Sequence, residues 1–251
     1  MIIYDFDGVM IDSLSEVLIT AYNAASGNLV TRPQDLPEGF ENLFRKNRFH
    51  VQPADDFPIF AQWCIDCSSR GIDPLLSPDE YKELIHTNDE PPNERRCRFF
   101  ATRKRFIDKD RNSWLNLNYP MQPLWKRLQK AGGETIVILT NKNKSAVVEL
   151  CGNYNLGIDP AKIYSAESGA TKTENLRAIR GRFDQSHYYF VDDSLQNLLQ
   201  LKGKFEINND ITFLLAVWGY VGPHDETMAR VNNIQSYTQE KFISFIESLE
   251  A

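Results

Sequence analysis

The chain opens MIIYDFDGVMIDS (residues 1–13), and the fold turns on how this stretch is read. Ile2 to Phe6 make a short apolar, β-branched run, the pattern of a buried strand. The run ends on two acids, Asp5 and Asp7. Gly8 follows at once, and Asp12 and Ser13 close the stretch. Neighbouring carboxylates repel one another. Either they sit in a solvated turn, or they belong to a site that uses two acids for different work.

Four later segments have the same character: TIVILT (135–140), KIYSA (162–166), HYYFVDD (187–193) and ITFLLAVWG (211–219). Their near-continuous apolarity, without strict alternation, suits a parallel sheet covered on both faces. Helical patterns fall between them at 145–155, 174–183 and 194–203, and QPLWKRLQKAG (122–132) precedes the first, stopping at Gly132-Gly133. An amphipathic pattern over 237–251 closes the chain. Strands alternating with helices predict an α/β fold with a doubly wound, Rossmann-like parallel sheet.

The rhythm breaks once, over roughly 100 residues between Asp7 and Thr135. SEVLITAYNAA (15–25), DFPIFAQWCIDCSSRG (56–71), PDEYKELIH (78–86) and the 94–110 stretch all read as helices. That is enough chain for a helical domain of its own. The expected division is a core of residues 1–13 and 117–251, with an inserted α-helical domain over 14–116.

Bulk composition narrows the classes. Of 251 residues, 42% are apolar and 25% charged, as in a globular protein with a real core. A net charge of −6 gives no general attraction for nucleic acid. The first apolar run meets Asp5 at once, so no signal peptide is read, and no window nears the roughly 20 apolar residues of a membrane span. A cytoplasmic protein is expected, with no nucleic-acid or membrane partner and no protein partner to infer. Cys64 and Cys67 form a C-x-x-C pair without a second ligand pair or a βαβ context, so they read as two helix residues. The four histidines show no metal-ligand spacing. Trp63, Trp125 and Trp218 read as packing residues. The basic run ERRCRFFATRKRF (94–106) is read as a solvated helix face, the competing reading being a grip on an anionic substrate group; RKNRFH (45–50) is treated alike. Ser13 is expected to cap the first inserted helix, with Asp12 supporting the turn.

Open α/β sheets bind ligands at the carboxyl ends of their strands. Those ends carry Asp5-Phe6-Asp7-Gly8, Thr140-Asn141, the 169–172 loop with Lys172, and Asp192-Asp193-Ser194 with Asn197 beyond. Several carboxylates together call for a hard cation with oxygen ligands, for which Mg²⁺ fits. A carboxylate can attack phosphorus to give an aspartyl-phosphate, but an anion attacking an anionic ester needs charge neutralisation. Mg²⁺ and Lys172 would supply it, Thr140 and main-chain N–H groups would hold phosphate oxygens, and a second carboxylate would move the proton.

These residues also resemble a known family. DFDGVMIDS (5–13) is similar to the first motif, D-x-D-G-[TV]-[LIV]-x-D-S, of the haloacid dehalogenase-like (HAD) hydrolase superfamily. VILTNK (137–142) resembles the second motif, Lys172 the third-motif lysine, and FVDDSLQN (190–197) the fourth. AVWGY (216–220) resembles a strand end of phosphoglycolate-phosphatase-like members. The chain departs from close members at Asp192, often glycine there, and at Thr173, often proline. The resemblance implies Asp5 as nucleophile and metal ligand. It implies Asp7 as general acid/base and as a ligand through its carbonyl. Thr140, Asn141 and Gly8 are implied around the phosphate, Lys172 between nucleophile and phosphate, and Asp193 with Asp192 at Mg²⁺. Lys142, Lys144 and Lys162 are the other lysines weighed for the third-motif role. Dehalogenases of the family lack the second acid, so Asp7 points to phosphoryl transfer. The insert lies where the family places a helical cap, which implies a small phosphorylated metabolite as substrate. The expected activity is a Mg²⁺-dependent phosphatase; the rivals are a phosphomutase of the β-phosphoglucomutase type and a non-catalytic binding protein on the same fold.

Overall fold

The structure, a computed structural model, describes residues 1–166, 169–205 and 210–250. Strands β1 (Ile2–Tyr4) and β2 (Ile11–Asp12) come first. Helices α1 (Leu14–Ser26), α2 (Phe40–Asn47), α3 (Phe57–Ser69), α4 (Pro78–His86), α5 (Pro92–Lys109) and α6 (Arg111–Asn116) follow. The chain continues through β3 (Tyr119–Pro120), α7 (Leu124–Ala131), β4 (Val137–Thr140), α8 (Lys144–Asn153), β5 (Ile163–Ser165) and α9 (Lys172–Arg182). It ends with β6 (Tyr188–Asp192), α10 (Leu195–Phe205), β7 (Ile211–Ala216), α11 (Asp225–Val231), β8 (Gln235–Tyr237) and α12 (Gln239–Glu250). These elements form two compact units, one of residues 1–12 and 119–251, the other of residues 13–118.

In the first unit, strands in the order β5-β4-β1-β6-β7-β8 make one parallel sheet. β1 lies in its middle, with Tyr4 opposite Ile138 on one side and Val191 on the other. Alternate residues of a strand face opposite ways. Ile3 joins a core with Val137, Leu139, Phe190, Leu176 and Leu198, under α9 and α10. Tyr4 meets Phe242 of α12 edge to face, ring centroids 6.2 Å apart. Burial on both faces explains why these strands read as unbroken apolar runs. β8 escaped that reading because Gln235-Ser236-Tyr237 carries no apolar run; it pairs at the sheet edge, where a strand need not be buried. β2 and β3 pair antiparallel, Ile11 with Pro120 and Asp12 with Tyr119, so the helical unit is inserted between two paired strands.

The second unit packs around aromatic rings. Phe57 of α3 stacks on Phe99 of α5 at 5.0 Å, and Phe44 of α2 meets Phe60 at 4.9 Å. Cys64 and Cys67 are buried thiols on α3, and Trp63 stacks against Phe60. The arginines of α5 differ from their reading as a solvated face. Arg103 is 3% exposed and pairs with the fully buried Glu16 of α1, which also accepts from Thr20 at 2.7 Å. Arg95, equally buried, donates to the carbonyls of Asp55 and Glu90, and Arg98 to Glu90 and the Ala24 carbonyl. Charge on this helix ties the unit together from inside, while Lys104 and Arg105 remain exposed. In the 45–50 run, Arg45 reaches Glu41 and Ser15, and Lys46 reaches Asp73. Ser13 precedes α1 but makes no side-chain capping bond. No helix among the described residues is long and apolar enough to cross a membrane.

Candidate active site

The parallel ladder carries Asp5 to the sheet's carboxyl edge, where its N–H donates to the Val191 carbonyl at 2.9 Å. Register then brings the end of β6 alongside, with Asp192 the last residue of that strand and Asp193 the next. Asp5, Asp192 and Asp193 are all buried, and each offers a carboxylate oxygen within 4.8 Å of the others. An all-oxygen, acidic donor set of this kind suits Mg²⁺ and offers nothing to a soft metal.

Lys172 stands between two of these acids. Its Nζ donates to Asp5 Oδ1 at 2.9 Å and to Asp192 Oδ2 at 2.6 Å, and lies 5.5 Å from the centre of the Phe190 ring. It is the first residue of α9, whose start is fixed by a capping box between Thr171 and Glu174. Burial alone would lower the Lys172 ammonium, but Asp192 and Asp5 outweigh it and hold the group above its usual value. Burial raises the Asp5 carboxyl well above the ordinary carboxylate range; Lys172 opposes this, while Asp192 and Asp193 add to it.

The two acids of β6 differ in their surroundings. Asp192 is held on both oxygens, by Lys172, by the Ser194 N–H at 2.8 Å and by Asn197 at 3.2 Å. Asp193 Oδ2 accepts the Tyr220 N–H at 2.7 Å. The Tyr220 hydroxyl donates to Asp12 at 2.7 Å, and Trp218 Nε1 donates to the Val9 carbonyl at 3.0 Å. The segment after β7 therefore grips the turn that follows Asp5. Asp12 supports that turn through Tyr220, and Trp218, beyond packing on Phe242, takes part in the same grip.

Asp7 is bound by a second lysine. Its Oδ1 accepts from Lys142 Nζ at 2.9 Å. Thr140, 1% exposed at the end of β4, accepts the Lys142 N–H on Oγ1 at 3.1 Å, and Asn141 is half-buried beside it. Gly8 takes a positive φ of 80°, and its N–H donates to the Ile11 carbonyl at 2.8 Å. Of the lysines weighed for the third-motif role, Lys172 is the one bonded to Asp5; Lys162 donates to the Glu134 carbonyl. Three site residues escaped the sequence reading as such: Lys142 at Asp7, Tyr220 at Asp193, and Gly219, where a Cβ would lie 2.4 Å from that of Asp193. The signal that could find them is place: Lys142 closes VILTNK and Gly219-Tyr220 close AVWGY, both at strand ends on the ligand-binding edge.

The fold that carries this acid-and-lysine edge is similar to that of solved structures described as phosphatases and as a haloacid dehalogenase-like protein. A structure described as a "predicted phosphatase from Clostridium acetobutylicum" superposes with a TM-score of 0.63 at 12% identity, covering 98% of this chain and 97% of that one. A "predicted phosphoglycolate phosphatase" from Haemophilus somnus 129pt gives 0.60 at 16% identity over 99% and 97% of the two chains. A haloacid dehalogenase-like protein of unknown function from Agrobacterium tumefaciens gives 0.54 at 12% identity over 99% and 96%. At such identities the likeness establishes the fold. No protein-family model matches the sequence, and no curated protein matches it.

Proposed function

We propose that the protein is a Mg²⁺-dependent phosphoric monoester hydrolase that cleaves a small phosphorylated metabolite through an aspartyl-phosphate on Asp5. One observation carries the reading: Lys172 bridges Asp5 and Asp192 inside a buried acidic group. An Asp5 oxygen attacks phosphorus, and the bond to the substrate's leaving oxygen breaks. Asp7 gives that oxygen its proton. Water then attacks the same phosphorus, Asp7 takes the water's proton, and inorganic phosphate leaves with Asp5 restored. Lys172, Thr140, Asn141 and the main chain at Gly8 hold the phosphoryl oxygens. A Mg²⁺ held by Asp5, Asp193 and the main-chain carbonyl of Asp7, with Asp192 behind, would supply the positive charge that keeps Asp5 ionised and the phosphoryl group neutralised.

Asp193 is the better direct ligand of the pair, since Asp192 is already held on both oxygens by Lys172, Ser194 and Asn197. Residues 14–116 act as the cap that selects the substrate; the insertion leaves from β2 and returns at β3, just beyond Asp7. A cytoplasmic setting fits four cysteines left as thiols.

The test is hydrolysis of p-nitrophenyl phosphate with and without Mg²⁺, by wild type and Asp5→Asn, then a metabolite panel that includes phosphoglycolate. Turnover that needs Mg²⁺ and disappears in Asp5→Asn is the expected result. Equal rates in the two proteins would remove Asp5 as nucleophile, and sugar-phosphate isomerisation without phosphate release would make the protein a mutase.

A further inference from the structure

Two lysines reach the acidic edge, and they serve different acids. Lys172 is shared by Asp5 and Asp192, whereas Lys142 bonds Asp7. The Lys142 side chain is 0% exposed, which is rare for lysine. Burying an ammonium costs several kcal/mol unless a counter-charge is held against it, so a lysine here is a built feature of the site. Its main chain is fixed as well, through the bond from its N–H to Thr140 Oγ1. With Lys142 included, the four carboxylates Asp5, Asp7, Asp192 and Asp193 face two ammonium groups, which leaves the charge that one dication balances.

We infer, building on the phosphatase reading above, that Lys142 is the positioning residue for Asp7: its buried ammonium holds Asp7 Oδ1 and so aims the carboxylate that moves the proton. Proton transfer needs the acid within about 2.6–3.2 Å of the reacting oxygen. An aspartate has two torsions with which to miss that range. A charge-assisted bond from a side chain that is itself immobile removes that freedom. This separates Lys142 from Lys172, whose partner is the nucleophile, and from Thr140, which is placed for phosphate oxygens.

The experiment is a double-mutant cycle on p-nitrophenyl phosphate with Mg²⁺, using wild type, Lys142→Gln, Asp7→Asn and the double variant. The phenolate of this substrate leaves with little help from an acid, which keeps the Asp7→Asn rate measurable. Lys142→Gln should lower kcat by about tenfold to a hundredfold and leave KM within about twofold. In the Asp7→Asn background the same change should cost less than about threefold, because its target has gone. Lys142→Met, which keeps the buried volume, replaces the glutamine variant if melting shows that variant unfolded. Equal losses in both backgrounds would overturn the inference, as would a raised KM with kcat unchanged, which would make Lys142 a grip on the substrate. A wild type with no Mg²⁺-dependent turnover fails the phosphatase reading itself, a different result from an active wild type with an additive cycle.

Discussion

Gly8 and Asp193 lie so close that a Cβ on Gly8 would stand 1.9 Å from Asp193 Oδ2. Two constraints meet at this glycine, because its φ of 80° also disfavours any side chain. Gly8→Ala should therefore displace Asp193. A calorimetric Mg²⁺ titration should show affinity weakened by about tenfold or more, with the helical content unchanged by circular dichroism. Unchanged Mg²⁺ affinity would mean that Asp193 is not a ligand.

Metal binding should also appear as stability. Three buried carboxylates converge, and a cation that binds only the folded chain stabilises it by about 2.7 kcal/mol at one hundred times its dissociation constant. For a chain of this size that raises the melting temperature by roughly 5–10 °C. Asp193→Asn should abolish the Mg²⁺-dependent rise, and a rise that persists in this variant would place the cation elsewhere.

The sheet and the motifs were legible because they share one cause. A strand buried on both faces must be apolar, and it must end where polar chemistry begins, so Tyr4-Asp5 and Val191-Asp192 announce both the strand and the site. What stayed hidden lacked that contrast. The edge strand at Gln235 has no apolar face to show. α2 is only two turns long, and its apolar stripe of Phe40, Leu43 and Phe44 runs straight into the basic pair Arg45-Lys46, so it does not stand out as a helix. Lys142 and Tyr220 act through long side chains or main-chain atoms across the sheet edge, and no local pattern encodes that partnership. The arginines of α5 misled for a related reason: a sequence shows charge, not the buried Glu16 that receives it.

That Glu16–Arg103 pair supports a prediction about stability. Both side chains are nearly excluded from water, with exposures of 0% and 4%. Arg103→Met leaves a buried carboxylate without its cation and should cost about 3–5 kcal/mol. Glu16→Gln combined with Arg103→Met removes both charges and should recover a large part of that loss in urea unfolding. A double variant no more stable than Arg103→Met would show that the pair contributes through packing of Arg103 over Phe99, where its guanidinium lies 4.8 Å from the ring centre.

Asp56 makes stability depend on pH. It is 7% exposed, beside the first turn of α3, and accepts from the Tyr81 hydroxyl at 2.7 Å. Burial raises its carboxyl from the usual 3.8 to about 6; Asp55 adds to this, while Tyr81, Arg95 and His86 oppose it. A folded state that keeps its proton longer than the unfolded state loses stability as pH rises between those two values. Below that window both states are protonated, and above it the full cost is present, on the order of 2–3 kcal/mol. Asp56→Asn keeps an acceptor for Tyr81 and removes the titration. It should melt higher than wild type at pH 7.5, with the advantage shrinking towards pH 4. Taking the difference between the two proteins cancels the other titrating groups. A difference that stays constant from pH 4 to 7.5 would show that Asp56 ionises alike in the folded and unfolded chain.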